Sequence, residues 1–215
     1  THPQLLMGSN DEGTQYDVFN EHVSRFFCAF AVPSPLIDPV PSEQEMIDTM
    51  LVGDRTILGD DLIVGEGESA RIVMARVLRK TLSEAYKTDL GRYTDTEMID
   101  VSQYGLFPNM ILFPQLSLPM VYRFRPIGDD PHRTLFELLI LRPNPDDGEP
   151  PSHAEPVRLS EEQSFTTVEG FDPILGHVYD QDTGNLRAQQ EGFRAARKKG
   201  ETLLNYQEVR VRLMH

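Results

Sequence analysis

Cysteine is almost absent from this chain: Cys28 is the single one in 215 residues. One thiol excludes an internal disulfide and any thiolate cluster built within the chain. Basic side chains are also scarce, with 20 Lys and Arg against 34 Asp and Glu and a net charge of -14. A surface of that sign repels phosphate backbones and anionic membranes, so the expectation is no nucleic-acid partner and no membrane partner. No apolar run approaches the ~20 residues of a membrane span. THPQLLMGSN (1–10) has neither the basic region nor the apolar stretch of a signal peptide, which leads to the expectation of a cytoplasmic protein. The usual catalytic signatures are missing as well: no G-x-S-x-G elbow, no glycine-rich phosphate loop, no C-x-x-C and no H-x-x-x-H pair. Kinase and hydrolase readings drop out. A metal site would have to draw its ligands from distant segments.

What is present is 39% hydrophobic content, enough for one core, and 1–215 reads as a single domain. YDVFNEHVSRFFCAFAV (16–32) alternates and is rich in Val and Phe, as two strands or one long bent one. After a proline-rich connector, Ser42 with Glu45 three residues on forms a capping box for a short helix through Leu51. Ala70, Val73, Met74, Val77, Leu78, Leu82, Ala85 and Tyr86 make an apolar stripe with Arg71, Arg76, Arg79 and Lys80 off it, which predicts a helix over about 68–88. Strands are expected at 97–104, 107–114, 118–127 and 132–143, with GDDPH (128–132) as a turn. Residues 144–157 read as a mobile surface loop. A helix over about 183–199 then stops at Arg197, Lys198, Lys199 and Gly200, and YQEVRVRLM (206–214) is a last strand or a helix tail. The sum is an α+β domain: an antiparallel sheet with a few long helices and room for a pocket between them.

The polar content of that late helix is its most informative feature. Asp182, Leu186, Gln189 and Phe193 fall at i, i+4, i+7 and i+11 on one face, taken as the inward one, with Gln190 beside them. Asp182 has two readings, a carboxylate aimed at a ligand and an ordinary helix N-cap. Asn109 faces a pocket or bonds backbone at a strand edge. Cys28 reads as a small core residue, His177 as a surface histidine outside the helix, and Asp129 and Asp130 as turn residues. His22, His132, His153 and His215 have no ligand-like context.

THPQLL (1–6), SQYGLFPNMILFP (102–114), VYDQDTGNLRAQQEG (178–192) and YQEVRVRLMH (206–215) together resemble the catalytic domain of the alpha subunit of Rieske non-haem iron oxygenases, the aromatic-ring-hydroxylating group. The likeness covers nearly the whole chain. It implies a helix-grip (START/Bet v 1-like) fold, a curved antiparallel sheet around a long C-terminal helix. It implies His2 in THP and Asp182 in QDTGN as ligands of a mononuclear Fe(II), with Asn185, Gln190 and Gly192 continuing the motif. Two imidazoles and one carboxylate on one face of Fe(II) leave positions open for O2 and substrate. Asn109, Met74, Leu78 and Gln190 are the implied pocket residues around an aromatic or other hydrophobic substrate, although most of the stripe holding Met74 and Leu78 reads as core.

The sequence departs from the family at two points. The family's other ligand histidine lies a few residues upstream of the one matched to His2, and Thr1 begins after it. The [2Fe–2S] Rieske cluster needs two cysteines and two histidines, which one cysteine cannot supply. The expectation is therefore a fragment truncated at its N-terminus and inactive alone. The parent enzyme would be a homotrimer carrying the cluster, fed by a ferredoxin or reductase, and the fragment monomeric or weakly associated. The alternative is a non-catalytic module of the same fold that binds a hydrophobic ligand.

Overall fold

The computed structural model describes residues 13–50, 62–198, 200–206 and 208–214. Pro151–Thr202 forms one compact unit, and the described residues on either side of it form another. The architecture is α+β, with a six-stranded antiparallel sheet and a long helix towards the C-terminus.

In the larger unit the strands run in sequence order: β1 (Thr14–Asn20), β2 (Val23–Cys28), β3 (Val101–Leu106), β4 (Met110–Phe113), β5 (Met120–Pro126) and β6 (Thr134–Ile140). The two strands expected within 16–32 form a hairpin over Thr14–Cys28, turned at Glu21–His22, where Asn20 Oδ1 accepts from the His22 and Val23 amides at 2.8 and 2.9 Å. Among the described residues, three helices, α1 (Glu43–Met50), α2 (Ala70–Tyr86) and α3 (Asp95–Ile99), lie between β2 and β3. Because Cys28 pairs with Val101, this insertion leaves and re-enters the sheet at the same end of two neighbouring strands.

Local chemistry sets the helix boundaries. Ser42 and Glu45 bond reciprocally before α1, as the capping box requires. Ser69 caps α2 by accepting from the Ile72 amide, and Lys87 ends it in the left-handed region at φ 54°. A second capping box, Thr94 with Glu97, opens α3. That box corrects the expected strand at 97–104: Glu97, Met98 and Ile99 are helical, and β3 starts at Val101.

The main core sits in the helical insertion. Met46, Ile47, Leu62, Val73, Met74, Val77, Leu90, Met98 and Ile99 are buried together, with Leu78, Leu82 and Tyr86 packed against them. Its neck is closed by one cluster. The Asp100 carboxylate accepts from Arg71 Nη1 and Nη2 at 2.6 and 2.9 Å and from the Phe30 amide at 2.7 Å, while Arg71 Nη1 also donates to the Phe30 carbonyl at 2.7 Å. The residues on either side of the excursion are thereby tied to α2. The loop after β6 is pinned at its start, where Thr88 Oγ1 donates to the Asn144 carbonyl and the Asp89 amide to Asp146.

In the smaller unit, α4 (Pro173–Ala195) follows a short 3-10 turn at Phe165–Thr167. The helix begins ten residues before the expected 183 and ends before Arg197. Asp172 supplies the cap, accepting from the Leu175 amide at 2.8 Å, and Pro173 takes the first helical position, where its missing N–H costs nothing. The terminal segment is the helix α5 (Val209–Met214), which belongs to the larger unit. Among the described residues no helix is long and apolar enough to cross a membrane.

Candidate functional site

Asp182 stands in the third turn of α4, so the N-cap reading is overturned: the cap is Asp172. His177, expected outside the helix, is in it too. It is a surface histidine, as expected, with Nε2 3.2 Å from Gln181 Nε2. The first turns of α4 are held by residues 164–171. Tyr179 is buried against Phe165 and Phe171, with ring centroids 5.4 and 6.1 Å away. Gly176 lies so close to the 3-10 turn that a Cβ there would stand 3.0 Å from the Thr166 nitrogen. Asp180 accepts from Ser164 Oγ and, at 2.8 Å, from the Phe165 amide. The Ser164 hydroxyl first, and then that amide, hold the Asp180 carboxyl below its ordinary value.

Gly176, Tyr179, Asp180 and Thr183 therefore define the packed side of the helix. At about 100° per residue, Asp182, Leu186, Gln189 and Phe193 lie about 100° round from it. All four are exposed, Leu186 at 58% and Phe193 at 51%. The expectation of an inward polar face is corrected accordingly, because packing against 164–171 claims the neighbouring stripe. Gln190 is half-buried, and the Asn185 amide donates to the Gln181 carbonyl one turn back at 2.9 Å.

The pocket candidates separate by element. Met74 is a core residue at 3% exposure, and Leu78 packs against that core one turn on. Asn109 sits in the β3–β4 turn, where its side-chain Nδ2 donates to the Phe124 carbonyl at 2.8 Å and its own carbonyl accepts from the Phe124 amide at 2.9 Å. Asn109 therefore bonds backbone at a strand edge. Asp130 Oδ1 accepts from the His132 amide, as the turn reading requires. Cys28 is half-buried at the end of β2, where Thr14 Oγ1 donates to its Sγ at 3.6 Å.

Strand register exposes a feature that no local pattern announced. Side chains alternate between faces, and the pairing places Tyr16, Phe26, Ile111, Phe113, Tyr122, Phe124, Phe136 and Leu138 on one face of the sheet. Phe113, Tyr122, Phe136 and Phe124 form a chain of ring contacts, 4.7 to 5.2 Å between centroids. Gln103 and Gly105 of β3 lie between the two aromatic groups. The opposite face carries the charges. Asp17 pairs with Arg25, and Glu137 accepts from both Arg123 and Arg125, which hold its carboxyl at about 2, Arg123 contributing most.

Asp182 supplies one carboxylate at an exposed position, and His2 lies outside the described residues. Among the described residues no group of three or more His, Cys, Asp or Glu side chains is placed to hold a metal ion. A facial Fe(II) site takes three protein donors, so the described donors alone do not make one. Comparison with protein-family models, curated proteins and solved structures finds no match to this chain.

Proposed function

We propose that this chain is a catalytic domain of the Rieske non-haem iron oxygenase type, acting on an aromatic or other hydrophobic substrate with O2. In this reading Asp182 is the carboxylate ligand and His2 an imidazole ligand of Fe(II), and the third protein ligand has no match in the sequence. Iron, when bound, supplies the activation of O2, and electrons come from a Rieske cluster reduced by a ferredoxin or reductase in a trimeric parent enzyme. The finer fold belongs to the same proposal: a helix-grip domain in which the sheet wraps the long helix.

The observation that carries the reading is the sheet's apolar, aromatic face, a surface suited to an aromatic substrate, with its charged residues confined to the other side. QDTGN adds its support as a contiguous helical segment whose Asp182 is exposed. A second reading, a hydrophobic-ligand-binding module without redox chemistry, is favoured by the same face, since that face needs no iron. Titrating the chain with toluene and, separately, with Co(II) as a coloured stand-in for Fe(II) distinguishes them. The oxygenase reading predicts that toluene binds and that the Asp182→Ala change abolishes Co(II) binding but spares toluene. Toluene binding with no Asp182-dependent Co(II) spectrum leaves the binding module.

A further inference from the structure

Among the described residues of the larger unit, one half-buried arginine differs from the others in having no carboxylate partner. Arg25, Arg71 and Arg79, each 25–29% exposed, sit on Asp17, Asp100 and Asp95 respectively. Arg210 of α5 is half-buried too, but no carboxylate pairs with it among the described residues. Its guanidinium carbon stands 5.1 Å from the centre of the Tyr16 ring and 5.6 Å from that of Phe26. Its Nε, like that of Arg79, is sealed from solvent and has no hydrogen-bond partner among the described residues. Tyr206 completes the cradle, edge-on to Tyr16 at 5.0 Å. Burial pushes the Arg210 guanidinium below its ordinary pKa, with the Tyr16 hydroxyl opposing. A desolvated cation stacked on rings is stabilised by their faces, yet its in-plane donors remain suited to a carboxylate.

Tyr16 and Phe26 lie on the apolar face of the sheet, so Arg210 adds a positive charge to one end of that face. Gln103 and Gly105 lie next along it, with the ring chain of β4, β5 and β6 beyond. The geometry points to Arg210 as a specificity-determining residue that receives the carboxylate of an aromatic acid whose ring rests on the apolar face. The inference rests on the proposed reading of that face as the substrate surface. It narrows the substrate class from hydrophobic compounds in general to aromatic carboxylates. In a chain of net charge -14, a cation with no carboxylate on it among the described residues gives an organic anion a defined place to bind.

The test compares benzoate with benzamide, which has the same shape and no charge, on the whole chain. Benzoate is expected to bind about tenfold more tightly and to shift the Nε–H resonance of Arg210 in the arginine side-chain spectrum. The Arg210→Met change should erase the benzoate advantage and leave benzamide unchanged, while Arg210→Lys keeps part of it. If the Met variant fails to fold, the wild-type resonance and the Lys variant still decide. Equal binding of benzoate and benzamide, or an unmoved Arg210 resonance, overturns the inference but leaves the apolar face as a ligand surface. If neither compound binds, the reading of the face fails with it.

Discussion

Replacing Asp100 by alanine should open the neck of the helical insertion. The Asp100 side chain is 2% exposed, and its two oxygens accept three hydrogen bonds, two from Arg71 and one from the Phe30 amide. Breaking a buried ion pair by removing one partner costs about 3–5 kcal/mol, because the other charge is left unpaired. Arg71 keeps 29% of its side-chain surface in water, which returns part of that cost through solvent screening. The Phe30 N–H loses its acceptor, at about 1 kcal/mol or more. The expected loss is about 3 kcal/mol, a large fraction of the roughly 5–15 kcal/mol that holds a domain together. Asparagine keeps an acceptor for Phe30 and should lose about half as much. Urea unfolding followed by far-UV circular dichroism measures the total, and hydrogen exchange at residues 29–34 and 95–100 locates it. A loss below about 1 kcal/mol for Asp100→Ala, or equal losses for alanine and asparagine, would show that the cluster is not the clasp described.

Two glycines of α4 should respond in opposite directions. Gly176→Ala drives a Cβ to 3.0–3.2 Å from backbone atoms of Phe165 and Thr166, and should cost about 1–3 kcal/mol by overpacking. Gly184→Ala meets nothing within 4 Å and should gain about 0.4–1 kcal/mol by stiffening the unfolded chain. Thermal unfolding of the two variants checks both signs. Glu137 should titrate at about 2 rather than at the ordinary 4.5. Because its folded pKa is depressed, any stability it lends is complete above 4.5 and is lost as pH falls through about 2. Carboxyl carbon chemical shifts followed against pH read the midpoint directly, and a value near 4.5 would mean that Arg123 and Arg125 do not hold it.

Elements with strong local signals were legible in the sequence. The stripe from Ala70 to Tyr86 and the Ser42–Glu45 box each gave their helix within about two residues, the usual limit for helix ends. Thr94 and Glu97 carried an equally good box, but the apolar residues Met98 and Ile99 run on into β3 and drew the segment towards strand. At α4 the Asp182–Gly184 stretch looked like a helix start, because Asp and Gly punctuate chains. The real start, Asp172 followed by Pro173, carries the stronger signal: a cap acceptor and a proline at the first helical position. Asp180 had no local signature at all: its partners Ser164 and Phe165 come from another element. The aromatic sheet face depends on register across six strands, and Arg210 on α5 meeting β1 and β2, so neither is visible in a linear pattern. His2 falls outside the described residues.

The central claim is that Asp182 and His2 belong to one iron site. Anaerobic titration with Co(II), read by its visible absorption and by broadening of side-chain resonances in the NMR spectrum, tests it most directly. The account predicts that the metal binds weakly, since only two of three protein donors are matched, broadens the His2 and Asp182 signals together, and is lost in both Asp182→Ala and His2→Ala. Broadening of either residue without the other, or Co(II) binding unchanged by both substitutions, would contradict it.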